Sequence, residues 1–196
     1  MRPGAISMLF RGFMAELRGA RIMEIWTTER LTAQRLKHAD LDDLVALHLD
    51  PDVSRYLGGV RSPTVTTAYL ETSLAHWDRY GFGLWTWRTS DGKFVARAGI
   101  RHVVVEDARE VEIAYALKRS FWGMGLASEI TKALLEVGFQ RLGLSSLVGV
   151  VFVSHAASRH VLEKAGFLFE RDVVFHDQPC VLYRKLSPEA PGGVTP

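Results

Sequence analysis

Cysteine is nearly absent from this 196-residue chain: Cys180 stands alone, which excludes an intramolecular disulfide and a multi-cysteine zinc site. A reducing compartment, the cytoplasm, is the location this implies. Long apolar runs are also missing. The longest, residues 147–153, is interrupted by Gly149 and falls well short of the about 18 residues needed to cross a bilayer, so it reads as a buried strand and no transmembrane segment is expected. A surplus of either charge is missing too, because the net charge is only +2. Arg2, Arg11, Arg18 and Arg21 against Glu16 give residues 1–22 a net +3 and leave the rest at −1, so the body lacks the basic excess of a nucleic-acid binder. Two phosphate motifs are absent as well. No Gly-Lys-Ser/Thr closes a Walker A loop, and Ser128 stands where the dinucleotide fingerprint needs a third Gly or Ala.

What is present is an ordinary globular composition, 47% hydrophobic and 23% charged. The length suits one domain of about 150 residues with tails, large enough to bury about 70% of its unfolded surface without a metal or disulfide. Residues 23–186 are expected to form that domain. In residues 1–22, Leu9, Phe10, Phe13, Met14 and Leu17 fall at helical spacing among arginines. An added surface helix, a start upstream of the natural one at Met23, and a membrane-surface helix all stay open for this extension. Residues 187–196, rich in Pro and Gly, have the composition of a disordered tail.

Residues 31–36 read as a first strand, and Asp40 opens an acid-rich helix carrying Leu41, Leu44, Val45 and Leu47. Ser62-Pro63 is a helix-start signal, with Val65, Tyr69, Thr72, Trp77 and Tyr80 expected on one face before Gly81. The period then changes to two. Residues 83–88, 94–104 and 111–117 form three antiparallel strands, turned at Ser90-Asp91-Gly92 and at residues 106–109. A helix over residues 126–142 ends at Gly143, an apolar strand follows at 146–153, and a shorter helix at 156–165 ends at Gly166. Strands at 167–175 and 180–186 close an α/β domain with a mixed sheet and helices on both faces.

Chemistry concentrates at two places. Trp122-Gly123-Met124-Gly125-Leu126-Ala127-Ser128 feeds the long helix, where glycines allow close backbone approach and free first-turn N–H groups favour a phosphate. A plain two-glycine loop is the alternative. About thirty residues on lies Ser154-His155-Ala156-Ala157-Ser158-Arg159, running to Glu163-Lys164-Ala165-Gly166-Phe167. Together with Thr28-Glu29-Arg30-Leu31, Glu112-Ile113-Ala114-Tyr115 and Glu129, these segments resemble, in order and spacing, the GNAT superfamily of acyl-CoA-dependent N-acetyltransferases, specifically its Rim-type branch of ribosomal-protein N-terminal acetyltransferases.

The resemblance covers the body from about Thr27 to Leu186. It implies a mixed, mostly antiparallel central sheet of about six to seven strands, acetyl-CoA as cosubstrate and no metal. The family's pyrophosphate loop falls on Trp122, Gly123, Met124, Gly125, Leu126, Ala127 and Ser128, with Trp122 in place of the usual Arg or Gln. The pantetheine arm would lie along the main chain of Ala116 and Leu117. His155 stands where the branch usually has Asn to contact the cofactor, and histidine can still donate a hydrogen bond. The tyrosine that serves other members as general acid would fall at Leu162; the Rim-type pattern implies instead that Ser158 contacts the cofactor and protonates the leaving thiolate.

Amine acetylation needs a deprotonated nucleophile, a stabilised oxyanion and a proton for sulfur. Glu112, in an apolar strand just before the glycine loop, is the candidate base, directly or through a water; a solvent-facing strand position is the alternative. His102 is a rival base, and Trp77, Trp85, Trp87 and Phe121 read as core. The leading function is an N-acetyltransferase acting by direct attack in a ternary complex on a small-molecule amine or a protein N-terminal amine, as a monomer or homodimer. A noncatalytic acyl-CoA-binding regulatory domain and a nucleotide-dependent α/β enzyme stay open.

Overall fold

A computed structural model describes residues 24–189 of the chain. The expected extension at residues 1–22 and all but residues 187–189 of the expected tail lie outside them. Eight strands form one sheet: β1 (Ile25–Thr27), β2 (Leu31–Arg35), β3 (Leu84–Thr89), β4 (Phe94–Val105), β5 (Ala108–Leu117), β6 (Ser146–Phe152), β7 (Leu168–Phe175) and β8 (Gln178–Leu186). Their order is β1-β2-β3-β4-β5-β6-β8-β7. Every neighbouring pair is antiparallel except β5 and β6, which run parallel and pair at one register position, Glu112 with Val148.

Alternation along the central strands sorts side chains onto two faces. Ala96, Ala98, Ile100, Ile113 and Leu117 join a large core with Leu126, Ile130 and Leu134 of α4 (Leu126–Glu136) and Leu162 of α5 (Ala156–Lys164). On the other face, Ala116 and Phe94 pack with Leu44 and Leu47 of α1 (Leu41–Leu49), Val53 of α2 (Pro51–Ser54) and Leu70 of α3 (Pro63–Tyr80). The α3 start follows its sequence signal, since the Ser62 hydroxyl accepts the Val65 N–H at 3.3 Å and Pro63 begins the helix. Trp77, Trp85 and Trp87 are buried as expected, with Trp77 Nε1 donating to the Leu84 carbonyl at 2.7 Å.

Several expectations are corrected. The sheet has eight strands rather than six to seven, because β1 is only three residues long and shows no alternation that a pattern could register. The buried stripe of α3 is Thr66, Leu70, Ser73 and Trp77, while Val65 and Tyr80 are exposed: the aromatic residues set an apparent period one position away from the packed one. The helix expected over residues 126–142 leaves α geometry after Glu136 and finishes as a π-helical turn, Val137–Arg141. At that turn a Cβ on Gly138 would meet Leu147 Cδ1 at 2.6 Å, so helix and strand touch through a missing side chain. Ser187 is buried and its N–H donates to the Ser145 carbonyl at 2.9 Å, which ties this residue to the body.

One glycine in the sheet floor is held by close approach rather than by its backbone angles. A Cβ on Gly99 would lie 2.6 Å from the Leu84 Cα and closer still to the Gly83 carbonyl oxygen. These are backbone atoms that cannot rotate away. Gly99→Ala is therefore expected to cost about 1–3 kcal/mol through overpacking and to lower Tm by several degrees in a thermal melt; an unchanged Tm would show that β3 and β4 can separate without penalty.

Candidate active site

The loop leading into α4 has the backbone that its glycines predict. Gly123 and Gly125 sit at φ 73° and 75°, and Gly125 is the N-cap residue of the helix. A Cβ at Gly123 would meet nothing within 4 Å, and one at Gly125 only Arg30 Nη2, at 3.7 Å. The surface over the first turn is therefore open. The N–H groups of Leu126, Ala127 and Ser128 have no acceptor within their helix. Arg30 holds the loop from outside: its Nη1 donates to the Met124 carbonyl at 2.9 Å and its Nε to Glu129 Oε2 at 2.6 Å. Glu129 Oε1 also accepts the Thr28 hydroxyl at 2.6 Å and the Arg30 N–H at 3.0 Å. Burial works against the Glu129 carboxylate, but these hydrogen bonds outweigh it and pull its pKa below the ordinary value. The β1–β2 turn and the glycine loop, nearly a hundred residues apart in sequence, form one clasp.

Beyond Glu112 the parallel strands part. From Ile113 to Leu117, alternate main-chain N–H and C=O groups of β5 face the gap with no β6 partner. Ala116 and Leu117 are buried at this edge, and the Leu117 carbonyl already accepts Trp122 Nε1 at 2.9 Å. Trp122 thus folds its ring back onto β5 to fix the loop. At the same gap, on the face covered by α5, the Tyr115 hydroxyl lies 2.9 Å from Ser158 Oγ and donates to the Ser158 carbonyl at 3.3 Å. Burial, partly offset by the Ser158 hydrogen bond, raises the Tyr115 pKa to about 12, which keeps its proton in place. His155 is the N-cap of α5, its Nδ1 accepting the Ser158 N–H at 3.3 Å, and its ring stacks on Tyr56 at 3.7 Å between centroids. Burial first, then Arg55, lowers its pKa and favours the neutral ring.

Glu112 projects from the other face of β5, where it is 4% exposed. Its Oε1 accepts Arg101 Nε at 2.6 Å from the residue directly opposite on β4. Among the described residues Oε2 accepts no hydrogen bond, so it is available to a water or an amine. Burial opposes the charge of Arg101, yet the Glu112 carboxylate outweighs it and holds that guanidinium above its usual pKa. His102 points to the opposite face, exposed, its Nδ1 3.3 Å from His76 Nε2. Cys180 is buried beside Val105, Val148 and Val173, away from the glycine loop, and burial raises its thiol pKa.

The structure thus brings the glycine loop, the β5 edge, His155 and Ser158 to one gap, and puts Glu112 on the far side of the same strand. Those features fit an acyl-coenzyme A thioester: open N–H groups and a helix dipole for phosphates, an unpaired strand edge for an amide-bearing arm, and a hydroxyl at its end. Tyr115 is the residue that sequence reasoning missed. Two-residue alternation from Ile113 would have placed it on the α5 face, and the absence of tyrosine at position 162 called for a hydroxyl from elsewhere. Arg30 was legible only as part of a motif, because its partners are remote in sequence. Among the described residues no group of three or more His, Cys, Asp or Glu could hold a metal, and no helix is long and apolar enough to cross a membrane.

Comparison with known proteins gives the family and the fold. Residues 30–168 match the family described as "Acetyltransferase (GNAT) domain". The uncharacterized N-acetyltransferase YoaA of Bacillus subtilis (strain 168) is 28% identical over 146 residues, 73% of this chain and 82% of that protein. An acetyltransferase from Agrobacterium tumefaciens str. C58 has a solved structure similar at TM-score 0.74 and 27% identity, covering 83% of this chain and 94% of its own. The spermidine N-acetyltransferase of Vibrio cholerae, solved with CoA and spermine, shares the fold at TM-score 0.66 and 16% identity, over 83% and 98% of the two chains.

Gly125→Val separates a docking loop from a merely structural one. The substitution strains a left-handed backbone by roughly 1–2 kcal/mol and projects a branched side chain over the first turn of α4. The protein is expected to stay folded by circular dichroism while its calorimetric Kd for CoA rises at least about tenfold, a loss of about 1.4 kcal/mol of binding. Wild-type affinity in the folded variant would remove the loop from cofactor binding.

Proposed function

The chain belongs to the acetyltransferase (GNAT) family, and from that premise we propose that it moves the acetyl group of acetyl-CoA to a primary amine by direct attack in a ternary complex. The observation that carries the reading is the single gap in the sheet, where the unpaired edge of β5, the start of α4 and the Tyr115–Ser158 hydroxyl pair converge. The backbone N–H groups of Leu126, Ala127 and Ser128 would hold the pyrophosphate, and the main chain at Ala116 the pantetheine arm, with Leu117 contributing its remaining lone pair. When bound, the thioester supplies the activated acetyl group. Gly123 and Met124 shape the loop, and Trp122 holds it against β5.

In this reading Glu112 takes the proton from the amine, directly or through a water on Oε2, while Arg101 holds the carboxylate in place. Ser158 delivers a proton to the departing sulfur, Tyr115 passes its own proton to the serine oxygen, and the tyrosinate regains one from solvent; the raised pKa keeps Tyr115 protonated between turnovers. This pair fills the role of the tyrosine that other family members carry where this chain has Leu162, a residue buried against Gly149. Burial of Cys180 with a raised pKa supports direct attack over an acyl-cysteine intermediate. The clasp of Thr28 and Arg30 on Glu129 and the serine at 158 support placement in the Rim-type branch.

Magnitudes set what a test can read. An amine of pKa about 10.4 has a free-base deficit of roughly 4.6 kcal/mol at pH 7, whereas an α-amine near 7.7 to 8.0 has about 1 kcal/mol. Glu112→Gln is expected to lower turnover by about 10² to 10⁴ at neutral pH, with CoA affinity nearly unchanged and the deficit shrinking as pH approaches the amine's own pKa. Unaltered turnover with an unaltered pH profile would remove Glu112 from the mechanism. CoA binding without turnover of any amine by the wild-type protein would instead establish the noncatalytic, acyl-CoA-binding alternative.

A further inference from the structure

The face of the sheet that carries Glu112 holds more buried positive charge than its own carboxylate can balance. Arg97 on β4 lies two residues before Gly99 and four before Arg101, on the same face, and is 4% exposed. Among the described residues it has no ion pair, and its Nε is buried without a hydrogen-bond partner. Its guanidinium stacks on the Tyr69 ring of α3, 5.1 Å from the centroid. Arg61, from the loop ahead of α3, covers the same ring at 5.2 Å, and among the described residues its guanidinium makes one hydrogen bond, to the Leu57 carbonyl at 2.6 Å. Arg61 and Arg97 thus meet around one aromatic ring, and Arg101 with its Glu112 partner lies further along the same face of the sheet. Burial is the largest force acting on Arg97 and Arg61 and lowers both pKa values, with Arg101 adding to the effect on each.

Two further polar atoms wait at the same place. Tyr69 Oη and His48 Nε2 are buried without partners, although His48 Nδ1 pairs with the Thr66 hydroxyl at 3.1 Å and its ring meets Tyr69 edge-on at 5.1 Å. Burial, then Arg97 and Arg61, pushes the His48 pKa down to about 3, so this ring is neutral and free to donate or accept. Buried donors and charges left unmatched are costly, and a fold that keeps three of them around one ring is organised for a group that arrives with the opposite charge. On the sheet beneath them Gly99, Ala114 and Ala116 carry no polar side chain, and Glu112 stands on that same face.

We propose that this cluster is the acceptor pocket's anion site, and that the acceptor is a small amine bearing a carboxylate, held by Arg97 and Arg61 while its amino group meets Glu112. The guanidinium fork matches a carboxylate in plane. The same charge disfavours polyamines and other multiply cationic acceptors, because their second ammonium group would enter a site of its own sign. The inference rests on the acetyltransferase reading above and narrows it to a substrate class.

Matched acceptors test it on the full chain. Thiol release is measured with amino acids, with their carboxamides and with their decarboxylated amines, alongside spermidine. The expected result is a kcat/KM at least about tenfold higher for the carboxylate than for its carboxamide, the worth of one charge-assisted contact, with Arg97→Gln erasing the preference. Equal rates for carboxylate and carboxamide, or a preference for spermidine, would overturn the proposal while leaving the acetyltransferase reading intact. A binding arm needs neither turnover nor the variant. N-acetyl amino acids and their amides are titrated into the CoA-saturated protein by calorimetry, and tighter binding of the acids is expected. Equal affinity would overturn the anion site even if no amine is turned over, and absence of turnover with selective acid binding would overturn only the catalytic reading.

Discussion

Parallel pairing of β5 and β6 at one position, followed by separation, is the constraint on which the rest of the molecule depends. Every other neighbouring pair in the eight-stranded sheet is antiparallel and hydrogen-bonded over several residues. At this junction the backbone is instead left with unpaired groups in the middle of a sheet, where edges are normally covered or paired. Close packing on the α4 and α5 face holds β6 in place beside the break. Leu162 of α5 seats against Gly149 of β6, and Gly138 at the end of the long helix seats against Leu147. A ligand that supplies hydrogen bonds along the β5 edge would complete the sheet.

The two faces of that gap differ in chemistry as well as position. On the α4 and α5 side are unpaired first-turn N–H groups and the Tyr115–Ser158 hydroxyl pair, an uncharged arrangement. On the α1 and α3 side are Glu112 and three arginines, an arrangement dominated by charge. A thioester entering from the first side and an amine from the second would meet at the break in the sheet, each against groups suited to it. The Arg30–Glu129 clasp and the folded-back Trp122 ring fix the loop before any ligand arrives, which lowers the ordering cost of binding.

Much of this was legible in the sequence, because the signals were local. The Ser62-Pro63 helix start, the hairpin at Ser90-Asp91-Gly92 and the positive-φ glycines at 123, 125, 143 and 166 are all where the residue types place them. So is the strand carrying Glu112, and its buried charge favours a paired or functional carboxylate over a solvent-facing one. The misses share a physical cause, which is that they depend on partners distant in the chain. The β1 strand exists because β2 pairs with it, the buried stripe of α3 is chosen by the sheet it covers, and Tyr115 gains its role only when α5 brings Ser158 to it. The arginine cluster was invisible for the same reason. Residues 61 and 97 are unremarkable as a string and meet only around Tyr69.

In the proposed binding mode the open edge of β5 and the first turn of α4 together dock the acyl-CoA. Hydrogen exchange followed by mass spectrometry reads those backbone amides directly, with and without saturating CoA. Peptides covering residues 113–117 and 123–129 should exchange markedly more slowly in the complex, because their free N–H groups gain acceptors, while peptides from β7 and β8 should be unchanged. Protection confined to other regions, or no change at either segment with CoA bound, would contradict the account.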